Sequence, residues 1–149
     1  MRVLLINPYY PLSETPSPPL GLAYLASALS EAGMEVRILD LVVYPYNQQM
    51  LQTLIGDFNP QVAGITAVTM TFDHAIGVIE DIKRIDPDIL TIMGGPHVSF
   101  CARETLTAYP QLDVIGLGEG ERTIVELVRT AHNGHAGAGV KGIAYRKGR

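Results

Sequence analysis

The chain has 149 residues, 47% hydrophobic and 17% charged, with a single cysteine and a net charge of −4. That length supports one domain with a full core, and that composition excludes a disordered chain. One cysteine, Cys101, excludes an internal disulfide and any cysteine-built metal or iron–sulfur site within the sequence, which suits a reducing cytoplasm. Residues 1–139 hold 7 basic and 15 acidic groups, a net −8, while Lys141, Arg146, Lys147 and Arg149 make the remainder +4. An acidic body argues against a nucleic-acid surface. The apolar run from Val3 to Ile6 is too short for a signal peptide or a membrane span, so no membrane partner is expected.

Arg2 to Ile6 reads as a short apolar strand stopped by Asn7-Pro8, and further prolines at 11, 16, 18 and 19 make the next stretch a long extended loop. Leu20 to Ala32 reads as a helix, entered through Pro18-Pro19 and closed by Gly33, and apolar almost all round. Met34 to Leu39 is a second strand with Asp40 at its end. Asn47 is placed to cap a second helix whose Leu51, Leu54, Ile55 and Phe58 share one face. Gln61 to Thr66 is the third strand. A helix follows that carries Phe72, Ala75, Ile76, Ile79 and Ile82 inward and Glu80, Asp81, Lys83 and Arg84 outward.

The stretch from Ile89 to Phe100 organises the rest. Ile89, Leu90, Ile92 and Met93 have the unbroken apolarity of a strand covered on both faces, and Gly94-Gly95-Pro96 stops it at a bare backbone. Ser99 reads as the cap of a short helix to Tyr109, with Cys101 buried in that helix. Leu112 to Leu117 is the fifth strand, and Gly118-Glu119-Gly120-Glu121 opens a last helix to about Ala131. Beyond it, residues 132–139 are glycine-rich and Val140 to Lys147 looks like a strand begun and cut short. Residues 1–131 are therefore expected to form the domain, and 132–149 a linker and the start of a truncated following one.

Five strands alternating with helices predict an α/β fold of three layers, a parallel sheet with helices on both faces. In such sheets ligands sit beyond the carboxyl ends of the strands where the strand order reverses. The loop at Asn7, the segment Thr66 to Thr71, the turn Gly94 to His97 and the turn Gly118 to Glu121 all fall on that rim. A nicotinamide cofactor is disfavoured because the first strand-to-helix turn lacks G-x-G-x-x-G. Gly116-x-Gly118-x-Gly120 is a weaker near-match at the wrong strand. No nucleophile elbow or acidic phospho-acceptor pocket is present. His132 and His135 lack a third ligand for a metal.

Taken in order, Leu5-Ile-Asn-Pro8, Pro19-Leu-Gly-Leu-Ala-Tyr-Leu25, Val36-Arg-Ile-Leu-Asp40, Gly94-Gly-Pro-His97, Gly118-Glu-Gly-Glu121 and Gly142-Ile-Ala-Tyr-Arg146 resemble the cobalamin-binding domain at the N-terminus of radical S-adenosylmethionine enzymes. The resemblance spans essentially the whole chain. It implies a flavodoxin-like or Rossmann-like sheet of five parallel strands and a cobalamin held base-off, its benzimidazole tail beside the sheet. By position, Thr66-Ala67-Val68 and Gly94-Gly95 are similar to the serine-containing and double-glycine segments that flank the tail in that fold. The resemblance places Asn7, Pro8, Tyr9, Thr69, Met70, Pro96, His97, Gly118, Glu119 and Gly120 around the rim under the corrin.

Asp73-His74-Ala75-Ile76-Gly77 differs in spacing and position from D-x-H-x-x-G, which supplies an imidazole to cobalt in one cobalamin class. The resemblance thus implies that no histidine of this chain binds cobalt, and His74 reads as a structural first-turn residue. The family's C-x-x-x-C-x-x-C cluster motif is also missing. An iron–sulfur cluster, S-adenosylmethionine and the methyltransferase or cyclase chemistry are accordingly expected in a C-terminal radical domain of the full-length protein, the partner of this one. The alternative is a flavodoxin-like docking or regulatory module that binds no cofactor.

Overall fold

In β1 (Arg2–Asn7), Val3, Leu4, Leu5 and Ile6 are all buried, as befits a strand with helices on both faces. The structure, a computed structural model, describes residues 1–11, 17–134 and 137–146. Pro16, His135, Lys147 and Arg149 lie outside them. The remaining strands are β2 (Glu35–Asp40), β3 (Val62–Thr66), β4 (Leu90–Gly94), β5 (Val114–Gly116) and β6 (Ile143–Tyr145). Their order is β2-β1-β3-β4-β5-β6, so the strand order reverses between β1 and β3.

The helices are α1 (Leu20–Glu31), α2 (Gln48–Phe58), α3 (Phe72–Ile85), α4 (Pro96–Phe100), α5 (Ala102–Ala108) and α6 (Glu121–His132). Strand alternation sorts the core into two halves. Val3, Leu5, Val62, Ile92 and Val114 meet Leu22 and Leu29 of α1 and Ile124, Leu127 and Val128 of α6. Leu4, Ile6, Ala63, Ile65, Met93 and Ile115 meet the inward residues of α2, α3, α4 and α5. The three-layer α/β architecture expected from the sequence is the one observed. Asn47 caps α2 as expected, its Oδ1 accepting from the Gln49 and Met50 N–H groups at 2.8 and 3.2 Å.

Four local expectations are corrected. The sheet has six strands, not five, because residues 143–145 pair antiparallel with β5. Arg146 fastens that strand: its guanidinium donates to the carbonyls of Leu106, Pro110 and Leu112 at 2.7, 2.9 and 2.6 Å. Ser99 is not a cap; the helix starts at Pro96 directly after Gly95, so Ser99 falls inside α4 and its hydroxyl donates back to the Gly95 carbonyl at 3.1 Å. Cys101 is half-buried at the break between α4 and α5, its thiol 3.2 Å from the His97 carbonyl. Lastly, α1 buries one stripe only, leaving Leu20 66% and Tyr24 65% exposed.

The amino ends of the strands are tied by a polar cluster. Lys83 at the end of α3 pairs with Asp113 at 2.6 Å and donates to the Ile89 carbonyl at 2.7 Å. Asp113 also accepts from the Thr91 N–H and hydroxyl, each at 3.0 Å. This cluster sits at the opposite end of the sheet from the rim.

Candidate cofactor-binding site

β3, β4 and β5 each turn a near-featureless residue toward α1 and α6 at their carboxyl ends. Thr66 and Gly94 are register partners across β3 and β4, and Gly64 lies opposite Ile92 one row below. Gly116 occupies the same face at the end of β5, two residues after Val114. The result is a slot of about 370 Å³ between this strip of sheet and the facing helices. Its sides come from Gly21, Leu22 and Leu25 of α1 and from Glu121, Thr123, Ile124 and Leu127 of α6, with Leu5 and Ile92 below.

The glycines have separate roles. A Cβ on Gly94 would meet nothing within 4 Å, and one on Gly116 only the Met93 carbonyl oxygen at 4.0 Å, so both keep the slot open rather than permit close packing. Gly95 differs. Its φ is +106°, and a Cβ there would lie 2.4 Å from the Ala67 carbonyl oxygen and 3.1 Å from Thr66 Oγ1, so glycine is needed to make the turn. That turn is locked from below, where the Ala67 N–H donates to the Gly94 carbonyl at 2.8 Å and the Ala67 carbonyl accepts from the His97 N–H at 3.4 Å.

Of the residues singled out in the sequence, Asn7, Thr66, Gly94, Gly95, Gly118, Glu119 and Gly120 line this slot. Asn7 and Thr66 also face an adjoining hollow of about 290 Å³, shared with Pro8 and Val68. Ala67 is fully buried beneath the glycine turn. Thr69 and Met70 form a single 3-10 turn (Thr69–Thr71) on the rim, Met70 being 48% exposed. Pro96 is the exposed first residue of α4. His97 lies over Phe72 with ring centroids 4.5 Å apart, and its Nδ1 is 3.1 Å from Thr69 Oγ1. Tyr9 is turned elsewhere, edge-on to His74 at 5.3 Å, both lining a third hollow. His132 is exposed at the end of α6.

Gly64, Leu5, Leu22, Leu25, Ile92, Ile124 and Leu127 line the slot and were not among the sequence candidates. A signal for one of them existed: Gly64, like Gly94 and Gly116, is a small residue near the carboxyl end of a strand, and the three share one face. Thr66, whose hydroxyl has no hydrogen-bond partner among the described residues, lines both the slot and the adjoining hollow.

The B12 binding domain family matches this sequence over residues 12–128. The chain belongs to that family. Among relatives of this B12 binding domain, an uncharacterized methyltransferase of Pyrococcus horikoshii is 35% identical over 152 residues, covering 99% of this chain and 33% of the relative. The anaerobic magnesium-protoporphyrin IX monomethyl ester cyclase of Rubrivivax gelatinosus is 33% identical over 153 residues, covering 97% of this chain and 28% of the relative. The chain thus spans about a third or less of the curated relatives it matches. Among solved structures, the radical S-adenosylmethionine methyltransferase TsrM of Kitasatospora setae, with cobalamin and a 4Fe-4S cluster bound, superposes with a TM-score of 0.84 at 24% identity, over 97% of this chain and 28% of that one. That likeness shows a shared fold. The resemblance drawn from the sequence motifs is borne out by these matches.

Proposed function

We propose that this B12 binding domain holds cobalamin base-off, as one unit of a longer radical S-adenosylmethionine enzyme of the methyltransferase or cyclase kind. The observation that carries the reading is the glycine-floored slot. Its volume falls in the roughly 300–1,000 Å³ range of small-molecule sites, and it is open where Gly94 and Gly116 lack side chains. Such a cradle fits a flat heterocyclic tail entering from the rim. A docking module without a cofactor has no need of it.

On this reading Thr66 offers its unpartnered hydroxyl to the base, while Gly94, Gly95, Gly118 and Gly120 let the tail pass close to the backbone. Asn7, Pro8, Ala67, Val68, Thr69, Met70, Pro96, His97 and Glu119 form or support the rim beneath the corrin, while Tyr9, turned onto His74, is left out of it. Bound cobalamin would supply a cobalt centre able to carry a methyl group or exchange electrons. In keeping with the family resemblance, no histidine is assigned to cobalt; among the described residues, His97 contacts Thr69 and Phe72, His74 packs on Tyr9 and His132 is exposed at the end of α6. The iron–sulfur cluster and S-adenosylmethionine are assigned to a radical domain reached through residues 132–149, with β6 laid against the parent sheet on the way. A cytoplasmic setting accords with the absence, among the described residues, of any helix long and apolar enough to cross a membrane.

The test is titration of the chain with hydroxocobalamin, then gel filtration and an absorption spectrum. Co-elution with a base-off spectrum is the expected result. Elution of folded protein free of cobalamin sinks the proposal.

A further inference from the structure

Polarity along the slot is graded. Every fully buried lining residue is apolar or glycine: Leu5, Leu22, Ile92, Ile124 and Leu127 are at most 7% exposed, and Gly64 is buried beside them. All the polar side chains that line it, Asn7, Thr66, Glu119, Glu121 and Thr123, are half-buried or exposed. The backbone of the floor is engaged in the sheet, since β3 pairs with both β1 and β4. The inner end therefore offers a ligand contact area but no donor or acceptor, and Thr66 contributes one hydroxyl further out.

Resting on the proposed cobalamin function, we infer that the slot selects among corrinoids by the chemistry of their lower base. It accepts a benzimidazole-type base and rejects a purine. A dimethylbenzimidazole carries one free ring nitrogen, which the Thr66 hydroxyl satisfies, and otherwise presents only carbon and methyl surface to Leu5, Ile92, Ile124 and Leu127. Adenine has an exocyclic amino group and further ring nitrogens that would enter the same apolar end unpaired. Each buried group left without a partner weakens binding by on the order of tenfold or more. Discrimination of this kind comes from desolvation rather than size, because a purine and a benzimidazole are both flat bicyclic rings.

Equilibrium dialysis of the chain against cyanocobalamin, an adenine-bearing cobamide and cobinamide, which lacks base and tail, tests this. Cobalamin is expected to bind at least tenfold more tightly than either of the others. Equal affinity for cobalamin and the adenine cobamide overturns the selection and leaves the cobalamin function standing. Equal affinity for cobalamin and cobinamide shows that the tail does not occupy the slot and also overturns it. Binding of none of the three overturns this inference and the proposed function together.

Discussion

Asn7 and Asp40 face each other in register across β1 and β2, and the Asn7 amide donates to the Asp40 carboxylate at 2.9 Å. Asp40 Oδ1 also takes the Val42 N–H at 3.0 Å. An ionised carboxylate only accepts, so the pair fixes which way the Asn7 amide points: nitrogen toward Asp40, and oxygen with no partner among the described residues. Asn7→Asp places two carboxylates side by side at this half-buried position. The variant should lose about 1 kcal/mol at neutral pH. Repulsion raises the folded-state carboxyl pKa, so the loss should shrink as pH falls through the carboxylate range. Urea denaturation at neutral and mildly acidic pH measures this; a deficit that does not depend on pH would refute the charge explanation.

Adjacent glycines make a sharper test of the slot than either alone. Gly94→Val fills open space on a strand and should leave the fold intact while weakening cobalamin retention at least tenfold. Gly95→Ala meets both a left-handed φ and the Ala67 carbonyl, and should cost about 2–4 kcal/mol in denaturant unfolding. Undiminished retention by Gly94→Val would remove the slot from the proposed site. Unchanged stability in Gly95→Ala would contradict the turn geometry.

Lys83→Met breaks the cluster at the far end of the sheet. The Lys83 and Asp113 side chains are only 18% and 22% exposed, so the carboxylate left without its cation, with only the Thr91 donors remaining, should cost about 1–3 kcal/mol. Cobalamin affinity should not change, because none of the cluster's own residues, Lys83, Ile89, Thr91 and Asp113, lines the slot. A parallel fall in affinity would show that the two ends of the sheet are coupled.

Tyr46 donates its hydroxyl to Asp81, bridging the loop before α2 to α3. Burial first, and then the Asp81 hydrogen bond and charge, push its pKa above the ordinary 10.0. The folded state therefore holds this proton more tightly than the unfolded chain. Its stabilisation is complete below about pH 10 and is lost as pH rises further. Thermal melting at about pH 9 and about pH 11 should show a larger decrease for the parent than for Tyr46→Phe; equal decreases would rule out this contribution.

The layers of the fold were readable because burial on both faces leaves unbroken apolar runs such as Val3 to Ile6, whereas the solvated face of α3 leaves a helical period. The site was readable in part. Glycine doublets announce themselves, so Gly94 and Gly95 stood out, but telling the slot-lining glycine from the turn-forming one needs the position of Ala67, which is distant in sequence. Gly64 acquires its meaning only through register with β4. Ser99 had the chemistry of a cap, yet the helix start was decided by Gly95 and Pro96, which permit an earlier entry. The direction of β6 depends on Arg146 finding carbonyls around α5, and no local pattern encodes that pairing.

The antiparallel β6 has a further effect. A parallel sheet ending at β5 would leave unpaired N–H and C=O groups beside the apolar residues Val114 and Ile115, a template for another chain's strand. With β6 in place the outer strands are β6 itself, three residues long, and β2, where Glu35 and Arg37 stand exposed beside the open edge. Charge guards one border and a short reversed strand the other, which lowers the tendency of the molecule to aggregate edge to edge.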